Sequence, residues 1–197
     1  MTVLVGFQGN GFSIIAADSR ATEESGDMFI LANPKVMWDE EEDYLFAICG
    51  ATRGGNLLQQ GWIPPQPPAF TTVEKLDQFI TQLFIPQLRD HFIDGGFDAK
   101  WEGEAAWMDS GFLISVQGVI YPIASDYGWD RDIRNIYTAG SGGPIALGAL
   151  AMAEINKYAD DPKGAAKIIK KAIEHACQWN AYCAPPIVIE TQYANEQ

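Results

Sequence analysis

Two apolar segments joined by a glycine-rich turn open the chain, and they constrain its fold more than any other feature. The segments are TVLVGFQ (residues 2–8) and GFSIIAAD (residues 11–18), and they meet at Gly9-Asn10-Gly11. Asn-Gly is a strong hairpin signal, because the central residues of the tightest turns need positive φ angles that asparagine and glycine tolerate. The sequence therefore predicts a buried antiparallel hairpin that ends at Asp18.

The order of the later elements predicts an α+β fold. A buried strand is expected at 43–50, a second hairpin around Gln117-Gly118, and a last strand at 185–192 after two consecutive helices. This order lacks the regular strand–helix alternation of a doubly wound parallel sheet. We expect a single domain over residues 1–197, a length that can bury a sufficient core.

A helix is expected after residue 70, where apolar side chains recur at helical spacing. Thr71 and Glu74 have the spacing of a capping box, which marks a helix start. Pro86 follows the apolar residues and predicts a kink or an end of this helix, because proline lacks the backbone N–H that an interior position requires.

Charge and cysteine usage exclude several classes of protein. The net charge is −13 with only 13 Lys and Arg residues, which argues against nucleic acid as a partner. Three cysteines make an odd number, and their spacing fits neither a disulfide framework nor a zinc site, so no metal or cofactor is expected. No signal peptide and no run of about 18–20 apolar residues is evident, so we expect a cytoplasmic protein that does not bind membranes.

The sequence offers few residues for a Ser-His-Asp or Cys-His catalytic site. The chain has two histidines, His91 and His175, and both lie in helical patterns that favour structural roles. Thr2 offers another route if Met1 is removed, because the hydroxyl nucleophile and a free α-amine are then on one residue. Such an amine has a pKa of roughly 7.7–8.0, near enough to neutrality to act as a general base.

The glycine-rich segment GSGGP at residues 140–144 lies between a predicted strand and a predicted helix. It fits neither GxxxxGK[ST] nor GxGxxG. Two interpretations stay open: a tight turn of small residues, or backbone N–H groups that bind an anion or a hydroxyl at a helix start.

Four short motifs behind Thr2 resemble the proteasome β-subunit family and its bacterial relative, the HslV peptidase. They are ADSRAT (17–22), NPKV (33–36), ICGAT (48–52) and GSGG (140–143), in family order and near-family spacing. The resemblance implies a four-layer αββα sandwich of the N-terminal-nucleophile hydrolase type. It also implies a threonine-type endopeptidase.

The resemblance assigns roles to five residues of a catalytic site. Thr2 would be the nucleophile, and Asp18 and Lys35 the charged pair beside it. Gly50 would donate its backbone N–H to the oxyanion, and Ser141 would tune the threonine amine.

Further residues would support the site or bind substrate. Arg20 matches a family arginine for which a structural role is expected. The backbones of Thr22, Gly50 and Thr52 would bind the substrate as an added strand. The specificity pocket would be lined by Met37, Ile48 and Asn56, which predicts an apolar residue before the scissile bond.

One residue departs from the family pattern and keeps other functions open. The alignment puts Gln178 where the family has an aspartate that assists the serine and the amine, and glutamine cannot carry that charge. The alternatives are a catalytically inactive scaffold or assembly protein of the same fold, and an amidase acting on a small molecule. The resemblance further implies a homo-oligomeric ring, a peptide or unfolded protein substrate and an ATP-dependent unfoldase partner.

Overall fold

A computed structural model describes residues 2–23, 25–69, 72–98 and 107–194. The strands are β1 (Leu4–Gln8), β2 (Phe12–Ala17), β3 (Arg20–Thr22), β4 (Met28–Ile30), β5 (Val36–Trp38), β6 (Tyr44–Gly50), β7 (Ser110–Val116), β8 (Val119–Ile123), β9 (Ile136–Ala139) and β10 (Val188–Tyr193). The α-helices are α1 (Thr52–Gln59), α2 (Val73–Phe79), α3 (Ile85–Asp94), α4 (Gly143–Met152) and α5 (Pro162–Trp179).

The predicted opening hairpin is confirmed and forms the centre of the first sheet. β1 pairs antiparallel with β2, with Leu4 opposite Ala17 and Gln8 opposite Ser13. Gly11 takes a φ of +76° in the turn, as the Asn-Gly signal requires. β10 and β9 add at the two sides, so the order is β10-β2-β1-β9 and every pairing is antiparallel.

The second sheet has the order β5-β6-β7-β8 and is also antiparallel. Its β7–β8 turn is the second predicted hairpin, with Gln117 and Gly118 at φ +52° and +76°. β3 and β4 form a separate two-stranded antiparallel hairpin. Along the chain, it follows β2 of the first sheet and precedes β5 of the second.

Three apolar clusters define four layers. One lies between the first sheet and helices α4 and α5, and another between the second sheet and helices α1, α2 and α3. The third lies between the sheets and includes Leu4, Ile15, Leu45 and Leu113. The expected α+β, αββα sandwich is therefore confirmed.

Helices α2 and α3 form one helical stretch with an irregular middle. Thr72 caps α2 by accepting a hydrogen bond from the Lys75 amide, whereas Thr71 lies outside the described residues. A π-helical turn over Ile80–Phe84 precedes Pro86, and the chain continues as α3. The proline therefore coincides with a π-turn rather than ending the helix, since a widened turn tolerates the missing N–H.

In the part of the chain that the structure describes, no helix combines the length and the apolar character needed to cross a membrane.

Candidate active site

Thr2, Asp18 and Lys35 meet at one end of the interface between the two sheets. Thr2 precedes β1 and Asp18 follows β2, so the antiparallel register brings them together, while Lys35 enters β5 from the second sheet. The Thr2 hydroxyl donates to Asp18 Oδ1 at 3.0 Å, and Lys35 Nζ lies 2.7 Å from the same oxygen. Lys35 Nζ also hydrogen-bonds Thr2 Oγ1. All three residues are at least 93 % buried.

Backbone amides hold the Asp18 carboxylate from three segments. Val3 N donates to Oδ1 at 3.0 Å, and the amides of Arg20 and Ala184 donate to Oδ2 at 3.1 and 3.0 Å. A buried ion pair is tolerated only when hydrogen bonds satisfy its remaining polar atoms. These donors meet that need and fix the orientation of the carboxylate toward Lys35.

The GSGG segment after β9 lies against the backbone of Thr2. Gly142 N donates to Thr2 O at 3.0 Å. Gly140 has a φ of +80°, and a Cβ there would come within 2.3 Å of the same carbonyl oxygen. This segment is therefore a tight turn that packs on Thr2. Ser141, between the two glycines, is exposed and lines a cavity together with Thr2.

A cavity of about 300 Å³ opens beside the Thr2–Asp18–Lys35 cluster, and we call it the first cavity. Its lining includes these predicted residues: Thr2, Arg20, Thr22, Lys35, Ile48, Gly50, Thr52 and Asn56. Helix α1 supplies one wall through Thr52, Gly55, Asn56 and Gln59, which share a helix face at the spacing i, i+3, i+4 and i+7.

Gly50 occupies a position that requires glycine. Its φ is +119°, and a Cβ would approach the carbonyl oxygen of Asp109 to 2.5 Å. β6 ends here, opposite Ser110, and the chain turns into α1. The peptide backbone at Gly50 therefore lies uncovered next to Thr2.

Arg20 hydrogen-bonds two other segments of the chain. Its amide donates to Asp18, and its guanidinium Nη1 donates to the Ala181 carbonyl oxygen. The side chain thus ties the start of β3 to the segment that follows α5.

Met37 does not line the first cavity. It pairs with Phe46 in the second sheet and packs on the side that faces the helices, while Val36 and Trp38 face the interface between the sheets. Ile48 lies on the same face of the sheet and does line the cavity, so Met37 is excluded by its place along β5 and not by the face it occupies. The pocket interpretation of Met37 is therefore replaced by a core role.

Gln178 lies exposed on α5 and is not among the groups that hydrogen-bond Asp18 and Thr2. The side chain beside Ser141 is instead Cys183, which hydrogen-bonds Ser141 and is 2 % exposed. The Cys183 sulfur also packs against Gly142: a Cβ added to that glycine would lie 2.8 Å from the sulfur. The sequence contained no signal for this, because the segment between α5 and β10 has no periodicity that would reveal where it returns.

Burial keeps the cysteines near the site protonated. It raises the pKa of the Cys183 thiol to about 11, helped by the Asp18 charge, while Lys35 and Ser141 oppose the rise. Burial likewise raises the pKa of Cys177 to about 11 and also raises that of Cys49. These thiols are poor nucleophiles at neutral pH, which argues against a cysteine nucleophile at this site.

Comparison with known proteins relates the fold to solved structures only. No family model and no curated protein sequence matches the chain. The Thiobacillus denitrificans bacterial proteasome homologue is 19 % identical with a TM-score of 0.71, covering 99 % of this chain and 100 % of its own, and its complex with epoxomicin is also similar.

Two further solved structures are similar to this chain over nearly its whole length. HslV of Trypanosoma brucei is 16 % identical with a TM-score of 0.61, covering 97 % of this chain and 99 % of its own. The Anbu (Gly-1) mutant of Hyphomicrobium sp. strain MC1 is 15 % identical with a TM-score of 0.66. The match covers 98 % of this chain and 82 % of the Anbu chain. The chain therefore has the fold of the proteasome-like N-terminal-nucleophile hydrolases.

Proposed function

We propose that this protein is a threonine peptidase in which Thr2, as the first residue of the processed chain, attacks peptide bonds. The observation that carries the proposal is the buried contact of the Thr2 hydroxyl with Lys35 and Asp18 at the mouth of the first cavity. An ammonium at this place favours the alkoxide, and its carboxylate partner keeps it in position.

The Thr2 amine serves as the general base once Met1 has been removed. It takes the hydroxyl proton as Oγ1 bonds to the substrate carbonyl carbon, and Lys35 stabilises the negative charge that passes through Oγ1. The amine then gives the proton to the leaving amine as the C–N bond breaks. Water then attacks the resulting ester while the amine takes its proton. The bond from the acyl carbon to Oγ1 breaks, and the proton returns to Oγ1 to restore the Thr2 hydroxyl.

The Gly50 backbone N–H acts as the oxyanion donor. The glycine-only φ at this position leaves no side chain between the peptide unit and the substrate. Ser141, held by Cys183, lies on the other side of Thr2 and orients its amine.

The substrate binds as an extended strand in the first cavity. The backbones of Thr22, Gly50 and Thr52 supply hydrogen bonds, in the manner of strand addition. Ile48 contributes apolar surface to the lining, as do Leu31 and Pro34, and this favours an apolar residue before the scissile bond. Asn56 lies on the facing wall.

We further propose that the protein works as a homo-oligomeric ring in the cytoplasm that encloses its sites, with an ATP-dependent unfoldase as a partner. This part of the proposal is supported by the fold and its neighbours.

Intact mass before and after incubation with epoxomicin tests the mechanism. The Thiobacillus denitrificans homologue has been solved with this compound, which makes it a suitable probe. We expect loss of Met1 followed by one adduct per chain, and no adduct in Thr2→Ala. Turnover of a peptide that persists in Thr2→Ala would contradict the mechanism.

Lys35→Ala tests the charged pair, with Lys170→Ala on the exposed face of α5 as the matched control. We expect kcat for a fluorogenic peptide to fall by about 10²–10⁴-fold in Lys35→Ala, because the developing alkoxide loses its counter-charge. Lys170→Ala should behave as the native protein. Equal kcat values in the two variants would mean that Lys35 has only a structural role.

A catalytically inactive scaffold is the second candidate. It is favoured by the neutral Cys183 thiol beside Ser141, where a carboxylate would assist the amine. A processed Thr2 that neither forms the adduct nor cleaves peptides would support it. Turnover of small amides without peptide cleavage would instead favour a small-molecule amidase.

A further inference from the structure

A second cavity, of about 490 Å³, adjoins Thr2. Thr2, Cys49 and Gly50 line both cavities, so the candidate nucleophile lies where the two meet. The remaining walls of the second cavity come from residues 107–111, from Ser125 and from the turn at Gly140 and Ser141.

The segment before β7 lines this second cavity and carries two exposed side chains. Burial alternates along it: Trp107 is 66 % exposed, Met108 is fully buried, Asp109 is exposed and Ser110 is buried. Alternate residues of an extended segment point to the same side. Met108 anchors the segment through its side chain and through its amide, which donates to Ser125 O at 2.8 Å. Trp107 and Asp109 therefore share the exposed side of the segment, and both residues line the cavity.

The two cavities differ in charge. Among the described residues that line the first cavity none is acidic, and Lys35 and Arg20 contribute positive charge. The second cavity is lined by the acidic Asp109 and by Trp107, together with the hydroxyl-bearing Ser125 and Ser141. The Lys35 charge is balanced by Asp18, so a ligand that spans both cavities meets an acidic and an aromatic residue only in the second cavity.

An extended peptide whose carbonyl carbon contacts Thr2 must extend in both directions, at about 3.3 Å per residue. In the proposed function, the residues before the scissile bond occupy the first cavity. We propose that the second cavity binds the residues directly after the scissile bond, and that Trp107 and Asp109 select a cationic side chain there. This inference rests on the proposed function and adds a specificity determinant to it.

An arginine or lysine side chain matches both groups. A guanidinium stacks on an indole face and is attracted by its quadrupole, and a carboxylate within reach adds Coulomb attraction. A single exposed tryptophan on a protein surface carries no meaning by itself. Trp107 differs because it lines a cavity that also contains the candidate nucleophile.

Internally quenched peptides test the selection. The two peptides have the same residues before the scissile bond. One carries Arg and the other Glu at both positions after it. Mass spectrometry of the fragments verifies which bond is cleaved. The measured quantity is the ratio of kcat/KM for the Arg peptide to that for the Glu peptide. We expect native protein to favour Arg about tenfold, and Trp107→Ala and Asp109→Asn each to reduce the ratio about fivefold. Trp107→Phe should retain part of the preference for the Arg peptide.

Trp179→Ala is the matched control, because Trp179 is an equally exposed tryptophan on α5 that lines neither cavity. Its Arg-to-Glu ratio should equal that of the native protein. If epoxomicin labels Thr2 but Trp107→Ala and Trp179→Ala give the same ratio, the inference fails and the proposed function stands. If native protein neither forms the adduct nor cleaves either peptide, both fail.

Discussion

Asp18 organises the candidate site at the scale of single residues. Its two oxygens accept five hydrogen bonds: from the Thr2 hydroxyl, from Lys35 and from three backbone amides. A carboxylate offers about four lone-pair sites, so its acceptor capacity is filled. Asp18 thereby joins the chain start, the end of β2 and the segment before β10 at one point.

Cys183 gives the protein a stability that depends on pH. Its pKa in the folded protein is about 11, above the usual value of 9.0, because burial disfavours the thiolate. Folding therefore stabilises the protonated thiol. This contribution is complete below about pH 9 and is lost as the pH rises from 9 through 11.

We expect the free energy of unfolding of native protein to fall between pH 8 and pH 10.5 by on the order of 2 kcal/mol more than that of Cys183→Ser, which lacks the titrating thiol. Urea unfolding of both proteins at several pH values measures the difference. A difference that stays constant across this range would contradict the assignment of the raised pKa to Cys183.

At the scale of elements, the β9–α4 turn matters most for the site. It brings the Gly142 amide to the Thr2 carbonyl and leaves no room for a side chain at Gly140. The sequence left open whether GSGG was a turn of small residues or a binding loop. The structure supports the turn and adds the reason for its small residues, which is the close approach of Thr2.

Gly140→Ala tests this contact, with Gly11→Ala as the matched control. Both glycines have similar positive φ angles, +80° and +76°, but a Cβ at Gly11 meets nothing within 4 Å. Each variant should lose about 1–2 kcal/mol of stability from the strained backbone, and Gly140→Ala should lose more, because its Cβ would clash with the Thr2 carbonyl oxygen. We expect Gly140→Ala alone to displace Thr2 and to lower peptide turnover at least tenfold.

Thermal melts and kcat/KM for one peptide, measured on both variants, separate the two effects. Equal loss of activity in Gly11→Ala and Gly140→Ala would show that the backbone strain, and not the Thr2 contact, is responsible.

At the scale of the whole molecule, the site depends on the packing of two sheets. Thr2 and Asp18 belong to the first sheet, whereas Lys35 and Gly50 belong to the second. The apolar cluster between the sheets holds these groups in register. Loss of that packing would separate Lys35 from Asp18 and leave buried charges unpaired.

Apolar surface remains uncovered on the isolated chain. The three residues of β4, Met28, Phe29 and Ile30, are each about half exposed. Helix α4 carries no polar side chain, and Met152 at its end is 87 % exposed. A helix that is apolar on every side is typically buried, which agrees with the proposed assembly.

We expect native mass spectrometry to give a multiple of the 21.6 kDa chain mass, and Phe29→Asp to shift the population toward smaller species. Glu23→Gln, a change at an exposed position near the same hairpin, should leave the distribution unchanged. A monomer at micromolar concentration would contradict the proposed ring.

The sequence by itself determined the hairpins, the α+β class and the residues of the candidate nucleophile cluster. Asn-Gly and Gln-Gly turns and apolar runs act over a few residues, so they are readable locally. The resemblance to the proteasome β-subunit family then assigned Thr2, Asp18, Lys35 and Gly50 to one site. The four-layer arrangement that it implied is confirmed.

Only the tertiary structure decided which side chains surround that cluster. Met37 faces the helices because of the β5 register, and Gln178 is exposed, whereas Cys183 contacts Ser141. The position of Trp107 at the second cavity was likewise unreadable from the sequence. These features depend on contacts between segments far apart in the chain, and no local pattern of residue types encodes how a turn or an extended segment returns to the core.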